Sequence, residues 1–85
     1  MISAQEFRVV IIDALVAIKS IDIDHREALL ADTNADIELL TLNIDSMAVI
    51  DLCMEIEEKT NREVLVEELT ENPTINRLAK YLGEH

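Results

Sequence analysis

The chain contains no tryptophan and only one each of tyrosine, phenylalanine, glycine, proline and cysteine. With Phe7 and Tyr81 as the only aromatics, any core must be aliphatic. A single Gly and a single Pro leave little material for tight turns, which suits helices. One cysteine, Cys53, cannot close an internal disulfide and points to a reducing compartment. Positive charge is scarce: 7 Lys and Arg stand against 18 Asp and Glu, a net charge of −11. That deficit argues against nucleic acid, which needs a basic face, and against anionic membrane surfaces. Long apolar runs are missing too. The stretch from Val9 to Ile18 is interrupted by Asp13 and is too short to span a bilayer. Met1-Ile2-Ser3 lacks the basic start of a signal peptide. The expectation is a cytoplasmic monomer without stable membrane insertion.

What is present is apolar and acidic. Apolar residues make up 49% of 85 residues, too many for a disordered tail and enough for one small domain spanning 1–85. The acidity has two readings. It steers partners with basic docking patches, or it only keeps the chain soluble.

Helical spacing organises the chain. Ser3 and Glu6 read as a capping box that starts a first helix. Phe7, Val10, Ile11, Ala14, Leu15 and Ile18 then form one stripe, and Val9, Ile12 and Val16 a second on the other side. The second stripe is expected to lie under the long connection that follows, 20–45. Within it, Asp24 with Glu27 can cap a short turn through Leu30, and Leu39, Leu42 and Ile44 are expected to plug the loop onto the bundle. A second main helix runs from about Ser46 to Lys59, a short one over 64–71, and a last one is capped by Thr74 after Pro73. In the short helix Val64, Val66 and Leu69 are expected inward. In the last, Ile75, Leu78, Ala79 and Leu82 face the core and Gly83 stops the helix. The fold class is all-α: a small four-helix bundle, three main helices and one short, with a long loop between the first two.

Alternating Asp32, Asn34, Asp36 and Glu38 imitate the start of a calcium loop. The pattern fails where Ile37 replaces the required Gly and Asn43 the bidentate Glu. No His or Cys cluster supports a metal site, and no nucleophile–base pair is visible, so the chain reads as a non-enzyme.

The helix that begins at Asp45-Ser46 has two faces. Val49, Leu52, Cys53, Ile56 and Thr60 share the core side, with Cys53 a small buried hydrophobe. Met47, Ile50, Asp51, Met54 and Glu58 share the other, and these with Glu55 are the expected partner-binding residues. Adaptable methionines ringed by carboxylates suit a partner surface. The plainer alternative is that at least one of Met47, Ile50 and Met54 packs under the loop or on the short helix. Asp45 and Ser46 are ordinary N-cap types, so capping alone is also open. A serine there nevertheless sits beside free backbone N–H groups and the positive helix end, which favours a phosphate.

Leu39, Leu42, Asp45-Ser46-Met47, Leu52, Ile56-Glu57-Glu58, Val64, Glu67-Glu68-Leu69, Thr74-Ile75 and Leu78 fall in one order and spacing that resembles the acyl carrier protein family. The resemblance covers about 37–82. It implies covalent 4'-phosphopantetheine on Ser46, transferred from coenzyme A by a phosphopantetheinyl transferase with magnesium, and Asp45 presenting the site. It also implies docking of acyl-loading and processing enzymes on the helix after Ser46. Met47 stands where the family has Leu, and Asn43 and Asn61 where it has Gly; Asn is the natural substitute in a left-handed conformation. The expected role is carriage of acyl thioesters for fatty-acid, polyketide or related lipid biosynthesis. The alternatives are an aminoacyl or peptidyl carrier, an unmodified acidic adaptor, and a calcium module.

Overall fold

A computed structural model describes residues 2–42 and 44–84. Among them are five α-helices and one 3₁₀ turn: α1 (Ala4–Ala17), α2 (Ile23–Ala31), the turn (Leu39–Thr41), α3 (Ser46–Thr60), α4 (Val66–Glu71) and α5 (Ile75–Glu84). The class is all-α, as the periodicity predicts. Asn43, whose expected left-handed conformation belongs to the loop, lies outside the described residues.

α1 is the central element and packs on α5, α3 and α2. Its start is the predicted capping box: the Glu6 N–H donates to Ser3 Oγ at 3.2 Å, and Ser3 N–H donates back to Glu6 Oε1. Phe7, Ile11, Ala14 and Leu15 are buried, while Val10 and Ile18 pack against the core from its edge. From the second stripe Ile12 is fully buried and Val16 partly; Val9 remains 38% exposed. The connection therefore does cover α1, but it does so as a nine-residue helix, longer than the turn expected. Its cap is Asp22 rather than Asp24, because Asp22 Oδ1 accepts the His25 N–H at 2.8 Å.

Arg8 holds this layer together, and it is 5% exposed. Its Nη1 donates to Leu29 O at 2.8 Å, and Nη2 to Asp32 O at 3.1 Å and Ala35 O at 2.7 Å. Its Nε donates to Asn76 Oδ1 at 2.6 Å. The guanidinium thus meets carbonyl oxygens at the negative end of α2, where a cation is favoured and the last carbonyls lack helical partners. Asn76 Nδ2 also donates to Ala35 O, so α1, α2, the loop and α5 meet at one point.

The second half of the loop is sewn to α5. Leu39 N–H donates to Pro73 O at 2.7 Å and Ile75 N–H to Ile37 O at 3.1 Å. Leu39 is fully buried, with Leu42 and Ile44 packed against the core. The calcium-like carboxylates serve backbone: Asp32 Oδ1 accepts Asn34 N–H, and Asp36 Oδ1 accepts the N–H groups of Ile37 and Asn76. Asp36 thereby joins Thr74, which accepts Arg77 N–H, in capping α5.

Ile75, Leu78, Ala79 and Leu82 are buried as the spacing requires. Gly83, however, does not end α5; it lies within it. Its role is close approach, since a Cβ there would stand 2.7 Å from Ala4 N and 2.8 Å from Ala4 Cα. Gly83→Ala should therefore cost about 1–3 kcal/mol through displaced backbone, readable as a lower urea midpoint. An unchanged midpoint would show that the end of α5 yields freely.

Val66 also departs from expectation. Val64 and Leu69 are buried, but Val66 is 42% exposed, because α4 begins only at Val66 and turns that residue outward.

Candidate functional site

The site is the entry to α3. Asp45 is the N-cap in extended conformation, and its Oδ1 accepts the Ala48 N–H at 2.8 Å. Ser46 is one residue further, the first of the helix, and is exposed. The order matters. The capping acceptor is the carboxylate, and among the described residues nothing hydrogen-bonds the Ser46 hydroxyl. A serine that only capped would offer its oxygen to the N–H two or three residues on; here Asp45 fills that role. The hydroxyl projects from the positive end of a 15-residue helix whose first N–H groups lack helical acceptors. This environment fits a serine-linked phosphodiester: the serine is reachable, the helix end favours its negative charge, and Asp45 fixes the start of the helix.

From this end α3 runs with the two faces the sequence predicts. Leu52, Cys53 and Ile56 are buried, and Val49 packs partly against them. Burial lifts the Cys53 thiol above its ordinary range, and the Glu68 charge adds to the rise, so it stays protonated at neutral pH. On the other side Met47 is 73%, Met54 60% and Ile50 50% exposed. None of the three is buried under the loop or on α4, which corrects the expectation that at least one would be. The reason is length: α4 has six residues and reaches only the flank of α3. Asp51 and Glu58 are exposed beside the methionines. Glu55 lies at the edge, half-buried and 3.9 Å from Lys59. The helix ends at Asn61, whose φ of 58° and ψ of 27° are left-handed, and its N–H donates to Glu57 O. The Gly-like role expected of Asn61 is met.

Sequence reasoning missed that Leu65 and Val66 extend the apolar surface onto α4, at 49% and 42% exposure. With Ile50, Met54, Val64 and Cys53 they line a groove of about 230 Å³ between α3 and α4. The available signal was the unbroken apolar trio Val64-Leu65-Val66, which one short helix cannot bury on a single face.

The family described as the phosphopantetheine attachment site matches residues 26–82, two-thirds of the chain. The chain belongs to that family. It is a phosphopantetheine carrier protein, non-catalytic, whose family bears covalently attached 4'-phosphopantetheine. A carrier of this kind interacts with a phosphopantetheinyl transferase and with processing enzymes. Comparisons with curated proteins and with solved structures gave no match. No helix among the described residues is long and apolar enough to cross a membrane.

Proposed function

We propose that Ser46 is the hydroxyl that takes the 4'-phosphopantetheine arm, and that residues 1–85 act as one monomeric, cytoplasmic domain carrying acyl intermediates for fatty-acid, polyketide or related lipid biosynthesis. The arm, when attached, supplies a thiol that holds cargo as a thioester. The protein's own residues do the rest. Asp45 caps α3 and so fixes the start of the helix from which Ser46 projects. The first turn of α3 stabilises the phosphate charge beside it. The observation that carries the reading is the division of labour at 45–46: the carboxylate caps, and the hydroxyl is left exposed and unengaged among the described residues. What favours an acyl cargo is the groove beside α3, lined mainly by aliphatic and sulfur side chains, with Glu57 and Glu63 also in its wall. Incubation with coenzyme A and a broad-specificity transferase, followed by mass measurement, tests the loading.

The exposed face of α3 is the docking surface in this reading. Met47, Ile50 and Met54 are apolar anchors, with Asp51, Glu55 and Glu58 around them and Leu65 and Val66 as a continuation. The partner is an enzyme with a basic patch, since the surface offers carboxylates on a chain of net charge −11. Met54→Ala should lower kcat/KM for loading about fivefold to tenfold at unchanged helix content. Raising the salt several-fold should slow loading of the unaltered protein as well. Loading indifferent to both changes would place the docking surface elsewhere.

A further inference from the structure

Sulfur is unevenly placed in this chain. The core is aliphatic, and its one sulfur among the described residues is Cys53, 6% exposed and held as the neutral thiol by burial. A covered, protonated thiol reacts poorly with peroxides. The methionines are placed the other way. Met1 lies outside the described residues; Met47 and Met54 are on α3, and no large apolar side chain among the described residues is more exposed than these two. Neither belongs to the core or to the layer packed against it. Seven residues apart on one helix, they lie within about 20° of each other around its axis, with Ile50 between them. Chemistry at these two sulfurs therefore reaches one surface twice and leaves the packing alone.

We propose that Met47 and Met54 are paired oxidation sites, through which a hydroperoxide switches off the docking face of α3. Hydrogen peroxide is the simplest case. The sulfur lone pair attacks one peroxide oxygen, the O–O bond breaks and an S–O bond forms. The departing hydroxide takes the proton of the transferred hydroxyl and leaves as water. Sulfur loses two electrons and the peroxide gains them. The sulfoxide is polar where the thioether was apolar. In the desolvated centre of a contact its oxygen lies without a donor, so an anchor becomes an obstacle. Ile50, between the two, has no atom to oxidise. A sulfoxide reductase drawing on a pair of thiols, which become a disulfide, returns the thioether and water, so the change is reversible. The loss of docking rests on the carrier reading; the modification itself is a property of the unloaded chain.

The test begins with hydrogen peroxide on the unloaded protein, followed by peptide mapping of 27–59, the fragment that holds Met47, Cys53 and Met54. Both methionines should each gain one oxygen at rates close to those of the chain unfolded in urea, and Cys53 should gain none while the fold is intact. The melting temperature should move by no more than about 3 °C, as for other changes confined to the surface. After removal of the peroxide, kcat/KM for loading by a transferase should be down about tenfold, and methionine sulfoxide reductases should restore it. Met47→Leu/Met54→Leu keeps the apolar volume without the thioethers. Whatever its own loading rate, peroxide should leave that rate where it was. Methionines that react only in urea would overturn the switch, as would loading by the parent that is untouched by the two sulfoxides. An equal peroxide-dependent loss in the double variant would overturn it too, by placing the sensitive group elsewhere. Untreated protein that never loads would instead overturn the carrier reading, and the loss of docking with it.

Discussion

Ser46→Ala should abolish loading while leaving the fold in place. In the proposed reading the substitution removes the oxygen that accepts the arm, so the loss is complete rather than partial. Stability should move by no more than about 0.5 kcal/mol, because the α3 cap is the Asp45 carboxylate and Ala is a good helix former. Asp45→Ala should behave in the opposite sense, costing about 1 kcal/mol through the lost cap. Asp45→Asn keeps a capping oxygen and removes the charge. Its melting temperature should stay close to that of the parent, and slower loading of that variant would assign Asp45 a share in presenting the site. The two readouts, mass after incubation with coenzyme A and transferase, and thermal melting by circular dichroism, separate a loaded serine from a merely structural one. A Ser46→Ala chain that still gained the arm would move the attachment point.

Arg8→Ala should be among the most destabilising single changes in the molecule, about 3–5 kcal/mol. The side chain donates to three backbone carbonyls and to Asn76, all at or inside 3.1 Å, from a position 5% exposed to solvent. Truncation leaves the buried Leu29 carbonyl and the Asn76 amide oxygen without this donor, takes one of two donors each from Asp32 O and Ala35 O, and opens a gap between α1 and the end of α2. An 85-residue domain has a total stability on the order of 5–15 kcal/mol, so the change removes a large fraction of it. The melting temperature should fall by roughly 20 °C, given about 4–8 °C per kcal/mol in domains of this size. Arg8→Lys should recover only part, because an ammonium cannot reproduce the guanidinium fork. A melting temperature within a few degrees of the parent for Arg8→Ala would show that the α2 layer stands without it.

Arg8 also shows what the sequence conceals. It lies three and four residues before Ile11 and Ile12 and seven before Leu15, so helical spacing puts it on a buried face. Its hydrogen-bond partners, however, lie 21, 24, 27 and 68 residues away, and no local pattern announces them. The stripe of α1, the capping box at Ser3, the start of α3 at Ser46 and the core side of α5 are legible, because each depends on periodicity or on a cap within a few residues. α2 is longer than the sequence suggests because its charged residues leave only Leu29 buried and give the helix almost no apolar stripe. Gly83 misleads for a related reason. Its neighbour is Ala4, at the other end of the chain, so a residue needed for close packing looks like a helix stop. At the site, Asp45-Ser46 is visible as a pair, but which of the two caps is not. Both are accepted N-cap types, and only the geometry, with Asp45 Oδ1 on Ala48, separates capping from presentation.

The most direct test is peptide mapping of the unaltered protein after incubation with coenzyme A and a transferase. Cleavage at Arg26 and Lys59 yields a fragment, 27–59, in which Ser46 is the only serine. The account predicts one added phosphopantetheine on that fragment, at Ser46. A chain that stays unmodified across several transferases, or one that takes the group on another residue, would contradict it.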